Sequence, residues 1–111
     1  MMRVGPVKFW ADGSAGGRTA AMSEPYRCCG NEKGMLCFED REMEEMVLDV
    51  HAAGYQIAIH AIGDAAIEQA IVAVDKALKK VPKADARPRI EHCGFVTDRQ
   101  IGEMGRLGMI P

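Results

Sequence analysis

Several features that would indicate particular partners are absent from this sequence. The formal net charge is only −2 and the pI is near 5.9, so no basic surface favours nucleic acid or an anionic membrane as a partner. No apolar run approaches the roughly 20 residues that a membrane-spanning helix needs. The first ten residues lack the apolar segment of a signal peptide. These absences favour a cytoplasmic protein.

The four cysteines also lack a recognisable pattern. Cys28 and Cys29 are adjacent, Cys37 and Cys93 stand apart, and no C-x-x-C pair occurs, which excludes the spacing of a zinc finger or ribbon. Long helical patterns argue against a small disulfide-stabilised fold. The sequence therefore predicts four reduced thiols.

What remains is the composition of one ordinary globular domain of 111 residues, with strands and helices in alternation. Apolar, β-branched runs predict strands, and apolar residues at helical spacing, bounded by capping residues and glycines, predict helices. The predicted strands are Gly5–Phe9, Tyr55–His60 and Arg89–Cys93, and the predicted helices are 39–54, 64–80 and 97–107, with a long loop at Ala11–Phe38 and the start of a further strand at Met109.

This order, βαβαβα followed by the start of another strand, indicates an α/β fold with right-handed crossovers and a parallel sheet. An open doubly wound domain and part of a closed barrel both satisfy it, and periodicity cannot distinguish the two.

Three side chains that could bind a metal or take part in catalysis lie in or at the end of the predicted strands. Lys8 lies inside a short apolar strand, where an ammonium group is unfavourable unless it is paired or modified. His60 and His92 lie near the ends of the next two strands, one βαβ unit of about 30 residues apart. Because ligands bind at the C-terminal ends of parallel strands, the two imidazoles could share a metal ion. Two histidines that only form local hydrogen bonds are the alternative.

Four blocks of sequence, in order, resemble a known family. The segments VKFWADGSAGGRTA, EPY, GYQIAIHAIGDAAI and RPRIEHCGFV contain K-x-x-x-D-G-S, H-A-I-G-D and R-I-E-H, and L-G-x-I-P follows near the end. Together they resemble the amidohydrolase superfamily, in its amidohydrolase-3 group of YtcJ-like and N-substituted formamide deformylase-like metal-dependent hydrolases. The resemblance implies a segment of a (β/α)₈ TIM-type barrel, from strand four through strand six to the start of strand seven.

The same resemblance implies roles for the three side chains. Lys8 matches a lysine that is carboxylated in related enzymes and bridges two metal ions, while His60 and His92 match the metal ligands of strands five and six. Zinc is the expected metal, because imidazole and oxygen ligands suit it and it activates water. The implied reaction is hydrolysis of carbon–nitrogen bonds other than peptide bonds in a small amide-type substrate.

The family's first-strand His-x-His pair and its eighth-strand Asp do not occur in this sequence. Since a full barrel takes about 250 residues, the chain resembles a partial domain spanning residues 1–111. We therefore expect the isolated chain to be inactive. A non-catalytic remnant that associates with itself and binds metal weakly or not at all is the alternative function.

Other polar residues have more modest interpretations. Asp12, Ser14 and Tyr26 are candidates for the substrate pocket, although Asp12 and Ser14 could simply shape the turn after the first strand. Asp64 opens a helix, so a capping role is favoured over catalysis. Glu91 precedes His92 on a strand and is expected on the opposite face, paired with Arg89 or with a cation of the helix layer.

His51 lies inside the first predicted helix, where a structural or surface role is expected. The open face of the sheet is expected to expose apolar side chains such as Phe9, Ile57, Ile59 and Ile90, depending on register. Exposed apolar faces and open strand edges favour association, so the sequence predicts a homo-oligomer.

Overall fold

The computed structural model describes residues 2–111, which form three strands and three helices in strict alternation. The elements are β1 (Val7–Trp10), α1 (Asp40–Ala52), β2 (Ile57–Ala61), α2 (Asp64–Lys80), β3 (Arg89–His92) and α3 (Asp98–Leu107). The predicted order is confirmed. β1 and β2 each begin two residues later and end one residue later than predicted.

The helix boundaries follow from local capping chemistry. At α3, Thr97 accepts a hydrogen bond from the Gln100 backbone N–H, and the Gln100 side chain accepts one from the Thr97 N–H. Gly108 ends this helix with φ of 66°, a left-handed conformation that suits glycine. At α1, the Glu39 N–H donates to the Glu42 carboxylate at 3.0 Å.

The three strands form one parallel sheet in the order β1-β2-β3. Trp10 lies beside His60 and His60 beside Glu91, so the strands end at nearly the same level. Ile110 adds a parallel bridge to Arg89, with Ile110 N–H donating to the Pro88 carbonyl at 2.8 Å. The expected further strand therefore begins beside β3.

The helices cover only one face of this sheet. That face carries Ile57, Ile59, Ala61 and Ile90, all buried, and Phe9, half-buried against them. Depending on register, Phe9, Ile57, Ile59 and Ile90 were expected on the face that the helices leave uncovered. That expectation is wrong, because the register directs them towards the helices.

The opposite face, which we call the open face, consists of Lys8, Trp10, Ala58, His60, Arg89 and Glu91. Apart from Ala58 and Trp10, these side chains are polar or charged. The alternation of strand side chains thus separates an apolar face from a mostly polar one.

The cysteines depart from the prediction. Cys28 and Cys29 are joined in a disulfide at the tip of the long loop, while Cys37 and Cys93 are free. The prediction of four reduced thiols is therefore wrong for the adjacent pair, whose side chains meet where the chain turns between Tyr26 and Glu32. None of the helices in residues 2–111 is long and apolar enough to span a membrane.

Candidate metal centre

His60 and His92 meet at the C-terminal edge of the sheet. His60 is the second-to-last residue of β2. The centroids of the two imidazole rings lie 4.8 Å apart in an edge-to-face arrangement. The expected proximity of the two side chains is present. Their role as metal ligands stays a prediction.

A change in backbone conformation brings His92 to this position. By register, His92 lies beside Ala61, whose side chain faces the helices. His92 and Cys93, however, have φ of 76° and 47°, outside the extended region. The regular alternation of β3 therefore ends at His92, and its ring lies beside that of His60.

The other member of the pair, His60, is held by the loop that follows β1. Its Nε2 lies 2.7 Å from the Gly13 carbonyl oxygen. Because that oxygen can only accept a hydrogen bond, Nε2 carries the proton and Nδ1 of neutral His60 keeps its lone pair. Metal-binding histidines commonly donate their second ring N–H in this way, which fixes the tautomer and the ring orientation.

Lys8 lies on the same open face as His60, two residues before the end of β1. Its Nζ is 5.0 Å from the centre of the Trp10 ring, within the range of a cation–π contact. The structure thus places Lys8 in the strand that the sequence indicated, next to an aromatic ring that had not been selected from the sequence.

The donor set fits part of a metal centre. Two imidazoles share one edge, one of them with a fixed tautomer, and Lys8 lies on the same face. Among residues 2–111, no group of three or more His, Cys, Asp or Glu side chains is arranged to hold a metal ion. The residues that could contribute are therefore His60, His92 and Lys8.

Asp12 joins the loops around this centre. Its side chain is buried, with 1% of the residue exposed, and its carboxylate accepts hydrogen bonds from three backbone N–H groups, those of Ala21, Ile62 and Gly63, at 2.8–3.0 Å. Oδ1 of Asp12 is also 3.5 Å from His60 Nε2. This geometry favours the turn-shaping interpretation of Asp12 and leaves no free carboxylate oxygen for a substrate.

The other two pocket candidates lie in the long loop. Ser14 is exposed and its hydroxyl accepts a hydrogen bond from the Gly17 N–H at 3.1 Å. The Tyr26 hydroxyl donates to the Ala20 carbonyl at 2.8 Å. Partial burial, together with the negative charge of Asp12, raises the pKa of Tyr26, so the phenol stays protonated. The structure does not bring Ser14 and Tyr26 together with the histidines through any hydrogen bond.

Asp64 has a different structural role from the expected cap. Gly63 is the N-cap of α2 and Asp64 is the first helical residue. The Asp64 carboxylate accepts hydrogen bonds from the Ser23 N–H and hydroxyl and from the Ala65 N–H. Burial alone would raise the pKa of Asp64, but these hydrogen bonds together outweigh it and lower the pKa. The carboxylate therefore anchors the long loop to the start of α2.

Glu91 shares the open face with His60 instead of facing the helix layer, because the register pairs these two residues. The expectation that Glu91 lies on the face opposite to His92 is wrong, because it assumed that the regular alternation of side chains continued to His92. The expected ion pair is present: Arg89 Nη2 lies 2.9 Å from Glu91 Oε1.

His51, in contrast to His60, has the structural role expected of it. It is buried in α1, and its Nε2 lies 2.6 Å from the Val81 carbonyl.

Trp10 is the neighbour of the centre that sequence reasoning missed. Its ring centroid lies 6.3 Å from that of His60. The spacing Lys8-x-Trp10 within one strand could have indicated it, because residues two apart on a strand share a face.

Comparison with known proteins shows the family to which this chain is similar. The sequence profile of the amidohydrolase family matches residues 1–111. YtcJ of Bacillus subtilis (strain 168) is 31% identical over 103 residues, which is 93% of this chain and 19% of YtcJ. The Arabidopsis thaliana protein LONG AFTER FAR-RED 3 is 28% identical over 107 residues, 96% of this chain and 18% of its own length.

Two crystal structures have the same fold over nearly the whole chain. They are uncharacterized metal-dependent hydrolases from Pyrococcus furiosus (TM-score 0.78, 36% identity, 95% of this chain and 21% of that one) and Pyrococcus horikoshii OT3 (0.78, 33%, 94% and 20%). The chain thus spans about a fifth of the length of the proteins it matches. The match over the whole sequence shows that this chain belongs to the amidohydrolase family.

Proposed function

We propose that this chain forms strands four to six, and the start of strand seven, of the (β/α)₈ barrel of a metal-dependent amidohydrolase. The proposed reaction is hydrolysis of a carbon–nitrogen bond, other than a peptide bond, in a small amide-type substrate by activated water. One observation carries the proposal: His60 and His92, from adjacent parallel strands, lie 4.8 Å apart at the edge where such folds bind ligands.

The metal would be held by His60, His92 and Lys8, the last as a carboxylated lysine. Zinc suits this set, because it accepts imidazole and oxygen ligands. Bound there, it would supply Lewis acidity towards an amide carbonyl and would acidify water at neutral pH. His60 is prepared for this role, since the Gly13 carbonyl holds Nε2 and leaves Nδ1 available.

The residues of this chain would orient the metal centre but would supply only some of its ligands. Asp12 holds the ends of β1 and β2 together through backbone N–H groups of both following loops. A catalytic zinc site needs three protein ligands and an oriented base. We therefore propose that the 111-residue chain alone has negligible hydrolase activity and that the remaining ligands come from further barrel strands.

Two structural features favour the alternative, non-catalytic function. β1 is the first strand of the sheet order, so its outer edge has no partner strand within residues 2–111, and the open face exposes Trp10. Unpaired edges and exposed aromatic surface favour association between chains. We propose that the isolated chain forms a homo-oligomer, which light scattering at micromolar concentration would test by its mass.

Metal binding is the first test of the catalytic proposal. Calorimetric titration with Zn²⁺ should show weak binding to the chain, which His60→Ala and His92→Ala each abolish. His51→Ala is the matched control, because His51 is buried away from the edge. Equal binding by the wild-type chain and the His60→Ala variant would contradict the assignment of the metal centre.

Catalysis is tested with the full translated product of the gene that encodes this chain. It should release amine from a simple acyl amide, and His60→Ala should reduce turnover by several orders of magnitude while His51→Ala leaves it unchanged. Turnover by the 111-residue chain alone would contradict the expectation that the centre is incomplete.

A further inference from the structure

Among residues 2–111, Trp10 is the one exposed large apolar residue that lies within the strands β1–β3. It is the chain's one tryptophan, and 53% of its surface is exposed although it lies within a strand. It lies beside His60 in the sheet register, with ring centroids 6.3 Å apart. Its neighbour Phe9, on the other face of the same strand, packs against the helices instead.

Packing against the helices of this chain does not explain this position. The helices cover the opposite face, and the side chains that share the open face with Trp10 are mostly charged or polar. An exposed indole next to a candidate metal centre is suited to contact a ligand, because aromatic rings bind flat apolar groups by stacking or edge-to-face packing.

A second aromatic ring follows the other histidine. Phe95 comes shortly after β3, and its N–H donates to the Ile62 carbonyl at 2.8 Å, which fixes it at the same C-terminal edge of the sheet. Phe95 is 45% exposed. The two histidines therefore have an exposed aromatic residue on the β1 side and another on the β3 side.

We infer that Trp10 is a substrate-recognition residue of the proposed hydrolase, and that it binds a flat, apolar group such as an aryl substituent of the amide. This inference rests on the proposed function, because it assumes that the reacting carbonyl lies near His60 and His92. Lys8 lies over the Trp10 ring, so the substrate group would contact the surface of the indole that Lys8 leaves exposed.

The test uses two amides that differ in the group offered to Trp10. Benzamide carries an aryl group and acetamide carries only a methyl group. Because the chain has one tryptophan, it gives one indole N–H signal in a nitrogen–proton correlation spectrum. Benzamide should shift that signal, together with the amide signals of His60 and Ala61, in a saturable way. Acetamide should bind at least about fivefold more weakly, the scale of one aromatic contact.

Variants decide whether Trp10 is the residue responsible. Trp10→Leu should remove the preference for benzamide, as followed by the His60 and Ala61 signals, while Trp10→Phe should retain part of it. Tyr55→Leu is the matched control, since Tyr55 is 44% exposed but precedes β2, at the opposite end of the strand. If Trp10→Leu does not fold, the Trp10→Phe titration still tests the inference. A preference for benzamide that is unchanged in Trp10→Phe would overturn it. Equal shifts from both amides in the wild type would also overturn it.

The outcomes separate this inference from the proposed function. Zinc binding that depends on His60 and His92, without any preference for benzamide, would overturn the role of Trp10 and leave the hydrolase proposal intact. A benzamide preference that depends on Trp10, without zinc binding, would support aryl recognition at this edge and contradict the proposed chemistry.

Discussion

The two faces of the same three strands differ in almost every physical respect. The helix-covered face carries Ile57, Ile59 and Ile90, which are nearly inaccessible to water. The open face carries Lys8, His60 and Glu91, separated from those residues by single steps along the chain. The difference shows that one face is selected for burial, while the other keeps polar groups that burial alone would not favour.

A substitution on each face measures this difference most directly, and we expect the largest effect for Ile59→Ala. Ile59 is fully buried in the core, so its truncation removes apolar contacts and leaves a cavity. The free energy of unfolding should fall by about 2–5 kcal/mol, against less than about 0.5 kcal/mol for Lys8→Ala on the exposed face. Urea denaturation followed by circular dichroism gives both values. Similar losses for the two variants would mean that the open face is covered in solution.

The next effect concerns the C-terminal edge, where the two faces meet. Asp12→Asn replaces a carboxylate that accepts three backbone N–H groups by an amide with one acceptor oxygen. We expect a loss of about 3 kcal/mol in the free energy of unfolding, because charge-assisted hydrogen bonds are lost and a buried donor is left without an acceptor. Asp49→Asn, at an exposed position in α1, is the control and should change little.

The same variant tests whether Asp12 also orients the metal centre. If it does, Asp12→Asn should weaken zinc binding under conditions where the variant remains folded. Zinc affinity equal to that of the wild type would confine Asp12 to holding the loops together.

Sequence reasoning succeeded where a periodic pattern determines the structure. The strand and helix order follows from hydrophobic spacing and capping residues, and Thr97 and Gly108 bound α3 as expected. The placement of His60 at a strand end followed from the same pattern. These features depend on neighbours within one or two turns of chain, which a single sequence displays.

Register and local backbone conformation could not be predicted in the same way. The positive φ at His92 reverses the expected relation between His92 and Glu91, and it depends on how β3 pairs with β2. The contact of Asp12 with the loop after β2 likewise depends on tertiary folding of the long loop. Such features join distant segments and leave no periodic signal in the sequence.

A smaller effect should depend on pH through Asp64, whose pKa is lowered in the folded chain by hydrogen bonds that outweigh the effect of burial. A lowered pKa means that the folded state favours the carboxylate. Its contribution is therefore complete above the pKa of the unfolded chain and is lost as the pH falls through the lower, folded value. We expect Asp64→Asn to remove roughly 1 kcal/mol of stability at neutral pH and much less in acid.

Asp75 has a lowered pKa in the same window, mainly through its hydrogen bond from Lys79, so the wild-type acid transition contains both contributions. Comparing Asp64→Asn with wild type at each pH isolates the first. Ser23→Ala should reproduce part of the Asp64→Asn effect, because it removes the Ser23 hydroxyl that donates to that carboxylate. A difference between Asp64→Asn and wild type that grows as the pH falls would contradict the assigned sign.

The smallest effect, and the one most sensitive to what covers the open face, is that of Glu91→Gln. The Arg89–Glu91 pair is 2.9 Å long, and its side chains are 43% and 27% exposed. An ion pair this accessible contributes between about 0 and 1 kcal/mol and is screened by salt. If further barrel strands or a second copy covered the open face, removing one partner would leave a buried charge and cost about 3–5 kcal/mol. Urea denaturation of Glu91→Gln at low and high protein concentration therefore distinguishes the two states. A small, salt-dependent loss at both concentrations means an open face, whereas a loss that grows with concentration means that association buries the pair.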